Sequence, residues 1–254
     1  MIWVLLPAYN EARNLPALFG EIDRALRGSG IPYRIVVVDD GSTDETRRVA
    51  LAAAARLPVR VLGHEQNRGL PAALLTGLRD ILAQADRQDV IATMDADNTH
   101  PPGLLPAMAR ALEDGADVVI ASRYAPGGRQ RGVPLLRRFL SWQARVVLTL
   151  RFRLPGVRDY SSGYRACRAG LLRQALAHYG NRLVETRGFA VMPELLVKLR
   201  PFRPRVREVP LDLRYDRKQG RSKIRLGQTL GAYLRLLLPR GVLHRDGRPF
   251  HAGF

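Results

Sequence analysis

The chain has 254 residues, of which 46% are hydrophobic and 25% charged, a composition that excludes disordered and fibrous proteins. Its one cysteine, Cys167, excludes an intramolecular disulfide, and the five scattered histidines do not complete a zinc cluster with it. Lys and Arg total 41 against 23 Asp and Glu, which gives a net charge of +18.

The positive charge is confined to one part of the sequence. Residues 1–110 contain 12 basic and 13 acidic residues, whereas residues 111–254 contain 29 basic and 10 acidic ones. A genome rich in G and C would raise the arginine content, but it would not confine the arginines to one half. The asymmetry therefore predicts a polyanionic partner, which could be nucleic acid, an anionic membrane surface or a phosphorylated substrate.

Short apolar runs alternate with amphipathic stretches through the first 125 residues. The predicted strands and helices follow one another at 2–6, 14–27, 35–38, 43–56, 59–62, 70–84, 90–94, 103–113 and 118–121. Runs such as 36–38, three valines, lack period-two alternation, which is typical of strands buried on both faces of a parallel sheet. We therefore predict an α/β fold with a Rossmann-like, mostly parallel sheet flanked by helices, and ligands at the carboxyl ends of its strands.

The pattern changes after Tyr124. We predict a loop over 125–132, a turn at Pro155 and Gly156, and then the following elements: helices at about 134–150, 168–178 and 188–199, and strands near 205–215. We assign a single domain to residues 1–223, with a nucleotide-binding half at 1–124 and a second half at 125–223. Residues 224–254 are predicted to form a basic amphipathic helix and tail.

Two predicted helices, at 134–150 and 224–243, are basic and amphipathic. This pattern is typical of helices that lie on a membrane surface and also of helices that pack on a core. Arginines interrupt both, so neither is predicted to span a membrane. The first residues also lack the basic region of a secretory signal, so we expect a cytoplasmic protein, peripheral on the inner face of the membrane.

Polar residues follow three of the predicted strands. Tyr9 and Glu11 follow the first, Asp40 follows the second, and Asp95 and Asp97 follow the fourth. A tyrosine ring can stack on a nucleobase, and a carboxylate can accept its hydrogen bonds. Two carboxylates spaced i, i+2 on an extended segment project to one side, where they can bind a hard divalent cation. Solvated turns and helix N-caps use the same residue types, so each cluster alone is weak evidence.

Seven motifs occur in a fixed order along the chain. They are PAYNE at 7–11, VVVDDGS at 36–42, NRG at 67–69, MDAD at 94–97 with HPP at 100–102, ASRY at 121–124, SSGYR at 161–165 and RxxGxSK at 217–223. Over about residues 2–225 the chain resembles family 2 glycosyltransferases of the GT-A fold. It is most similar to the branch of dolichol-phosphate mannosyltransferases and other polyprenyl-phosphate glycosyltransferases.

The resemblance implies a metal-dependent inverting transfer of mannose or glucose from GDP-mannose or UDP-glucose to polyprenyl or dolichyl phosphate, with Mg²⁺ or Mn²⁺ as the cofactor. It assigns the nucleotide sugar to Pro7, Tyr9, Glu11, Val38, Asp40, Asp95, Ala96, Asp97, Arg217 and Lys223. It assigns the metal to Asp95 and Asp97, the acceptor phosphate to Arg123, Arg137 and Ser141, and catalysis to Asp97, Arg123 and Arg217. An arginine fork suits a phosphate group, which supports the acceptor assignment.

Two departures from the family pattern bear on the reaction. Enzymes of the family that glycosylate an alcohol carry a Glu-Asp pair and a QxxRW motif, whereas this chain has Asp159-Tyr160-Ser161 at the expected place and no QxxRW. A phosphate monoester is largely a dianion at neutral pH and needs no base, so the absence favours a phosphate acceptor. Thr99 stands where the branch usually has a metal-binding glutamine, which predicts weaker metal binding or a site completed by water.

Two alternatives stay open at this point. The same fold could act on a soluble or secondary-metabolite acceptor instead of a lipid. A nucleic-acid-binding module would use the basic half, but no aromatic-studded basic sheet or recognition helix is visible, so we expect no nucleic-acid partner. For a lipid acceptor we expect contact with an anionic membrane surface, either through the surface helices or through a membrane-protein partner. Cys167 is predicted to be a buried apolar residue, and Glu194 either a sugar contact or an exposed helix position.

Overall fold

The structure is a computed structural model that describes residues 1–186 and 188–217, apart from the side chains of Leu136, Arg137 and Phe189. The strands are β1 Ile2–Ala8, β2 Tyr33–Asp39, β3 Val59–Gly63, β4 Val90–Thr93, β5 Val118–Ser122, β6 Arg129–Arg131, β7 Arg165–Arg168, β8 Val206–Pro210 and β9 Asp212–Arg214. The α-helices are α1 Leu15–Arg27, α2 Thr46–Ala54, α3 Leu70–Leu82, α4 Leu105–Glu113, α5 Leu135–Phe152, α6 Ala169–Tyr179 and α7 Val191–Leu199.

Seven strands form one sheet in the order β3-β2-β1-β4-β7-β5-β8. All neighbouring pairs are parallel except the two that β7 makes with β4 and β5. Strands β2 and β3 lie on one side of β1, and β4 lies on its other side, so the strand order reverses between β1 and β4. Open α/β sheets bind ligands at such a reversal. The predicted α/β fold with a mostly parallel sheet is confirmed.

Both faces of the sheet are covered, because alternate residues of each strand enter separate cores. On one face Leu5 and Val38 pack with α3, and on the other Val4 and Val37 pack with α1 and α4. A Cβ on Gly77 would lie 2.2 Å from a methyl of Leu5, so the glycine lets α3 approach the sheet closely. The run of three valines is therefore buried on both faces, as predicted.

The elements differ from the predicted ones at several places. Strand β7 has no predicted counterpart, and β6, which pairs with β9 in a small second sheet, lies inside the predicted loop 125–132. The strands predicted near 205–215 are present as β8 and β9, whereas the helix predicted at 188–199 begins as a 3₁₀ turn at Gly188–Ala190. Helix α2 begins at Thr46 rather than at residue 43, because Thr43 is hydrogen-bonded into the loop that follows β1.

Strands β7 and β8 come from the second half of the chain and complete the sheet of the first half. The division of the domain at Tyr124 stays a prediction, and the helix predicted at 224–243 lies outside the described residues. Among the residues that are described, no helix has the length and apolar character needed to span a membrane.

Candidate active site

The loops after β1, β2 and β4 meet at the reversal of the strand order. The side-chain amide of Asn98 donates to the carbonyl of Asn14 at 3.0 Å, which joins the β4 loop to the β1 loop. The backbone N–H of Asn10 donates to the Ser42 hydroxyl at 2.9 Å, which joins the β1 loop to the β2 loop. Asn10 and Asn98 have φ angles of 52° and 62°, a conformation in which asparagine is enriched. The predicted polar clusters therefore form one surface.

Asp40 lies at the centre of this surface and is almost fully buried. One carboxylate oxygen lies 2.6 Å from Nδ1 of His64 and accepts the N–H of Arg68 at 2.9 Å, and the other accepts the N–H of Gly69 at 2.7 Å. Nε2 of His64 lies 3.0 Å from the Thr76 hydroxyl. Asp40 thus fixes the segment that carries the NRG motif. Sequence reasoning missed His64, because its contact with Asp40 joins positions 24 residues apart.

The other residues assigned to the nucleoside differ in what they expose. Pro7 and Tyr9 are half-buried at the end of β1. The Glu11 carboxylate is buried and accepts the Asn14 side-chain amide at 2.6 Å. The side chain of Val38 is buried in the core against α3, so only its backbone can face a ligand.

The acidic turn after β4 holds both predicted metal ligands. The strand ends at Thr93, so Asp95 and Asp97 lie in the loop that follows β4, and the projection of their carboxylates to one side stays a prediction. One oxygen of Asp97 accepts the hydroxyl of Thr99 at 2.7 Å and its N–H at 3.2 Å. Nδ1 of the buried His100 accepts the N–H of Asp95 at 3.1 Å. Thr99 and His100 therefore hold the turn in place.

The donor set of this turn fits a hard divalent cation. Asp97 and Asp95 supply carboxylate oxygens, and the side chain of Asp95 is partly open to solvent. Within the described residues, no group of three or more His, Cys, Asp or Glu side chains is placed to hold a metal. Mg²⁺ is commonly bound by one or two carboxylates together with substrate phosphates and water, and two carboxylates are what the turn offers.

Arg123, at the end of β5, forms a two-pronged ion pair with the fully buried Asp159. Its Nε and one terminal nitrogen donate to the two carboxylate oxygens at 2.8 and 2.7 Å, and the same terminal nitrogen donates to the Ser161 hydroxyl. Burial raises the pKa of Asp159, but the charge and hydrogen bonds of Arg123 outweigh it, so the pKa lies below its ordinary value. Asp159 is therefore a buried anion paired with Arg123.

The remaining predicted site residues lie on two other elements. Ser141 and Arg137 belong to α5, and Ser141 is half-buried; the side chain of Arg137 is not among those described. Arg217 follows β9 and pairs with Glu21 of α1 at 3.3 Å. Lys223 lies outside the described residues. The assignments of all these residues to donor, acceptor and metal stay predictions.

Two single-residue predictions have clear outcomes. Cys167 is buried, as predicted, and burial raises the pKa of its thiol to about 12. Glu194 is fully buried and forms an ion pair with Lys198 at 2.7 Å, so the prediction of an exposed helix position is wrong. Its carboxylate also accepts the N–H groups of Glu185 and Thr186.

Solved structures identify the fold. Glucosyl-3-phosphoglycerate synthase from Mycobacterium tuberculosis, in complex with Mn²⁺, uridine diphosphate and phosphoglyceric acid, aligns with a TM-score of 0.65 and 22% identity over 93% of this chain and 75% of that one. The fold is therefore that of the GT-A glycosyltransferases.

Sequence comparison gives the family. The family described as Glycosyl transferase family 2 matches residues 3–176, and the chain belongs to it. A dolichol-phosphate mannosyltransferase of Pyrococcus furiosus is 36% identical over 91% of this chain, which spans 61% of that relative's length. An undecaprenyl-phosphate mannosyltransferase of Micrococcus luteus is 33% identical, over 88% of this chain and 87% of the relative. A polyprenol monophosphomannose synthase of Mycolicibacterium smegmatis is 36% identical, over 87% and 80%.

Proposed function

We propose that the protein transfers a hexose, mannose in the first instance, from a nucleotide sugar to the phosphate of a polyprenyl phosphate. The observation that carries this proposal is helix α5, which begins after the β5 loop. Leu135, Phe139 and Trp142 form an exposed apolar stripe on it, and Ser141 and Arg145 lie on the neighbouring stripe. A ligand with a phosphate head and a hydrocarbon chain matches this arrangement. The names of the three relatives, all mannosyl transferases to lipid phosphates, support the same substrate class.

The ion pair of Asp159 and Arg123 also supports a phosphate acceptor. An alcohol acceptor must lose a proton to a base during attack, and Asp159 is buried and paired. A phosphate monoester, largely a dianion at pH 7, needs no such base. In the proposed reaction a phosphate oxygen attacks C1 of the sugar, the bond from C1 to the nucleoside diphosphate breaks, and the configuration at C1 inverts.

For the donor, we propose that Tyr9, Glu11 and Asp40 bind the nucleoside side of GDP-mannose or UDP-glucose, together with Pro7, the backbone of Val38, and Ala96. Asp95 and Asp97 would hold Mg²⁺ or Mn²⁺, which supplies positive charge to the diphosphate. Arg217 and Lys223 would neutralise the charge that grows on the leaving group. The backbone N–H of Arg214 donates to the carbonyl of Thr99 at 3.0 Å, so the strand that leads to Arg217 passes the acidic turn.

The acceptor's hydrocarbon chain requires contact with a membrane. We propose that α5 lies on the anionic inner face of the membrane, with its apolar stripe among the lipids and arginines at the surface. The exposed arginines on and near this helix are Arg129, Arg131, Arg138, Arg151 and Arg153. A membrane-protein partner could share this surface.

The test is transfer of labelled sugar from GDP-mannose and UDP-glucose to polyprenyl phosphate in anionic vesicles, with Mg²⁺, Mn²⁺ or EDTA. We expect a metal-dependent lipid-phosphate sugar, and we expect Asp97→Asn to abolish both the product and metal-dependent donor binding. Asp114→Asn is the matched control, because Asp114 is an exposed carboxylate at the end of α4. Donor hydrolysis or transfer only to soluble acceptors would contradict the lipid acceptor, and full activity of Asp97→Asn would contradict the metal site.

A further inference from the structure

The side chain of Tyr124, one residue after Arg123, has an unusual environment. Its hydroxyl oxygen is buried, and among the described residues it has no hydrogen-bond partner. A buried hydroxyl without a partner costs about 1–3 kcal/mol, so such groups are rare unless a ligand or water completes them. The hydroxyl therefore indicates a place for a ligand acceptor atom at the end of β5.

Arginines surround the Tyr124 ring. The guanidinium carbon of Arg145, from α5, lies 4.6 Å from the ring centroid, and that of Arg123 lies 5.4 Å from it. The charge of Arg138, also on α5, reaches the hydroxyl as well. Arg123 and Arg145 thus lie over the Tyr124 ring, the charges of all three arginines act on its hydroxyl, and the charge of Asp159 opposes them.

The hydroxyl keeps its proton at neutral pH. Burial raises the pKa of Tyr124 above its ordinary value and outweighs the opposing charges of the arginines. A protonated phenol is a hydrogen-bond donor, and an anion is the strongest acceptor it can find.

The charges around the ring leave an excess that suits a dianion. Arg123 is matched by Asp159, whose two oxygens its fork occupies. Neither Arg138 nor Arg145 is ion-paired with a carboxylate of the described residues. The charges of Arg138 and Arg145 therefore both act on the Tyr124 hydroxyl, and together they are equal and opposite to the charge of a fully ionised phosphate monoester.

Helix geometry places this group on the proposed acceptor path. Ser141 and Arg145 are spaced i, i+4, so they share one stripe of α5. The neighbouring stripe carries Leu135, Phe139 and Trp142, which are exposed. A lipid whose phosphate is held at Tyr124 would thus have an exposed apolar surface for its hydrocarbon chain on the same helix.

We propose that Tyr124 and Arg145 bind the acceptor phosphate, the tyrosine by donating its hydroxyl hydrogen and the arginine by its charge and N–H groups. This inference rests on the proposed function and adds two residues to the acceptor site that the family motifs did not assign. The competing role is packing alone, in which the stacked Arg145 and Tyr124 only attach α5 to the end of β5.

Tyr124→Phe separates the two roles, because it keeps the ring and its stacking but removes the hydroxyl. Loss of one hydrogen bond to a charged group should raise the KM for polyprenyl phosphate about tenfold or more, with the KM for the nucleotide sugar unchanged. Tyr33→Phe is the matched control, because its hydroxyl bonds to Asp23 at the opposite end of β2. Competition by inorganic phosphate against the lipid acceptor should weaken in Tyr124→Phe by a similar factor.

Arg145→Lys and Arg145→Met test the charge. We expect the acceptor KM to rise from wild type to Arg145→Lys to Arg145→Met, and the lysine variant keeps the test valid if the methionine variant does not fold. This inference is overturned if Tyr124→Phe and both Arg145 variants keep the wild-type acceptor KM and the wild-type phosphate inhibition. In that case the variants would differ from wild type only in a lower melting temperature. Absence of transfer to polyprenyl phosphate by the wild-type protein would instead overturn the proposed function.

Discussion

Asp159 carries a buried negative charge that Arg123 and nearby hydrogen-bond donors offset. Its oxygens accept the N–H groups of Arg123, Ser161 and Ser162 in addition to the guanidinium fork. Glu208 accepts the N–H of Asp159 itself at 2.7 Å. The ion pair therefore joins the end of β5 to the segment before β7 and to β8. Its removal should destabilise the whole sheet.

Asp159→Asn should lower the free energy of unfolding at pH 7 by about 3–5 kcal/mol, because it leaves Arg123 without its buried counter-charge. The pKa of Asp159 is below its ordinary value in the folded protein, so the contribution is present above the unfolded pKa and is lost as the pH falls through the folded one. Urea unfolding of the wild-type protein and of Asp159→Asn, between neutral pH and about pH 3, measures the difference in the free energy of unfolding. The difference in the free energy of unfolding should shrink in acid. A difference independent of pH would contradict its assignment to the Asp159 charge.

Glu194 shows where residue-level prediction stops. The sequence contains a Glu and a Lys four positions apart, a pattern that helices commonly place on solvent-exposed faces. In the structure both side chains are fully buried, and the Glu194 carboxylate holds the backbone of Glu185 and Thr186. The spacing of Glu194 and Lys198 is visible in the sequence. Their burial depends on how α7 packs in the core with other elements, and a local sequence pattern does not show that packing.

Helix α5 differs from the other helices in the size of the apolar surface it exposes. Leu135 is 78% exposed, and Phe139 and Trp142 stack on each other with ring centroids 6.4 Å apart. Further along the same helix, Leu148 and Phe152 turn into the core. The C-terminal part of α5 is therefore anchored in the protein, while its first half presents apolar side chains outward.

Leu135→Glu should weaken binding to polyprenyl-phosphate vesicles about tenfold or more, because it replaces a lipid-facing leucine by a charge that anionic lipids repel. The matched control is Leu51→Glu on α2, where the leucine is also exposed, at 52%. Vesicle co-sedimentation measures the affinity, and donor binding should be unchanged in both variants. Equal losses in the two variants would show that net charge, and not α5, decides membrane binding.

Among the strands of the seven-stranded sheet, the sequence predicted the parallel ones and missed the antiparallel one, β7. Strands β1, β2 and β5 are runs of apolar residues buried on both faces, a pattern that is legible locally. Strand β7 is the four residues Arg-Ala-Cys-Arg, whose neighbours β4 and β5 supply its hydrogen bonds. The polar ends of β7 hide its burial, so only the assembled sheet reveals it. The same holds for β6, a strand of three residues that pairs with β9.

At the scale of the molecule, acidic and basic side chains occupy different parts of the candidate site. The acidic side chains of the first half, Glu11, Asp40, Asp95 and Asp97, line the carboxyl ends of β1, β2 and β4. Basic residues of the second half, among them Arg123, Arg138 and Arg145, lie at the end of β5 and on α5. Motif order predicted this surface, because strands of one parallel sheet bring their carboxyl ends to one edge. The partners of Asp40 and Arg123 could not be predicted, since they join positions 24 to 36 residues apart.

The charge asymmetry of the whole chain leads to a prediction about ionic strength. Residues 111–254 hold 29 basic and 10 acidic residues, and α5, which the proposed function places against the membrane, belongs to this half. Each arginine near an anionic surface contributes about 1 kcal/mol, and every 1.4 kcal/mol is a factor of ten in affinity. Raising NaCl from about 0.1 M to about 1 M shortens the Debye length from about 10 Å to about 3 Å, so binding to anionic vesicles should fall at least tenfold.

Neutral vesicles provide the control for the same experiment, because the apolar stripe of α5 can bind them but the arginines gain little from them. Weak, salt-insensitive binding to neutral vesicles and strong, salt-sensitive binding to anionic ones would separate the two contributions. Equal binding to both vesicle types at all salt concentrations would contradict a role for the basic half at the membrane. Duplex DNA should compete poorly with the vesicles at physiological salt. Tight DNA binding that falls steeply with salt is what a nucleic-acid-binding module would show instead.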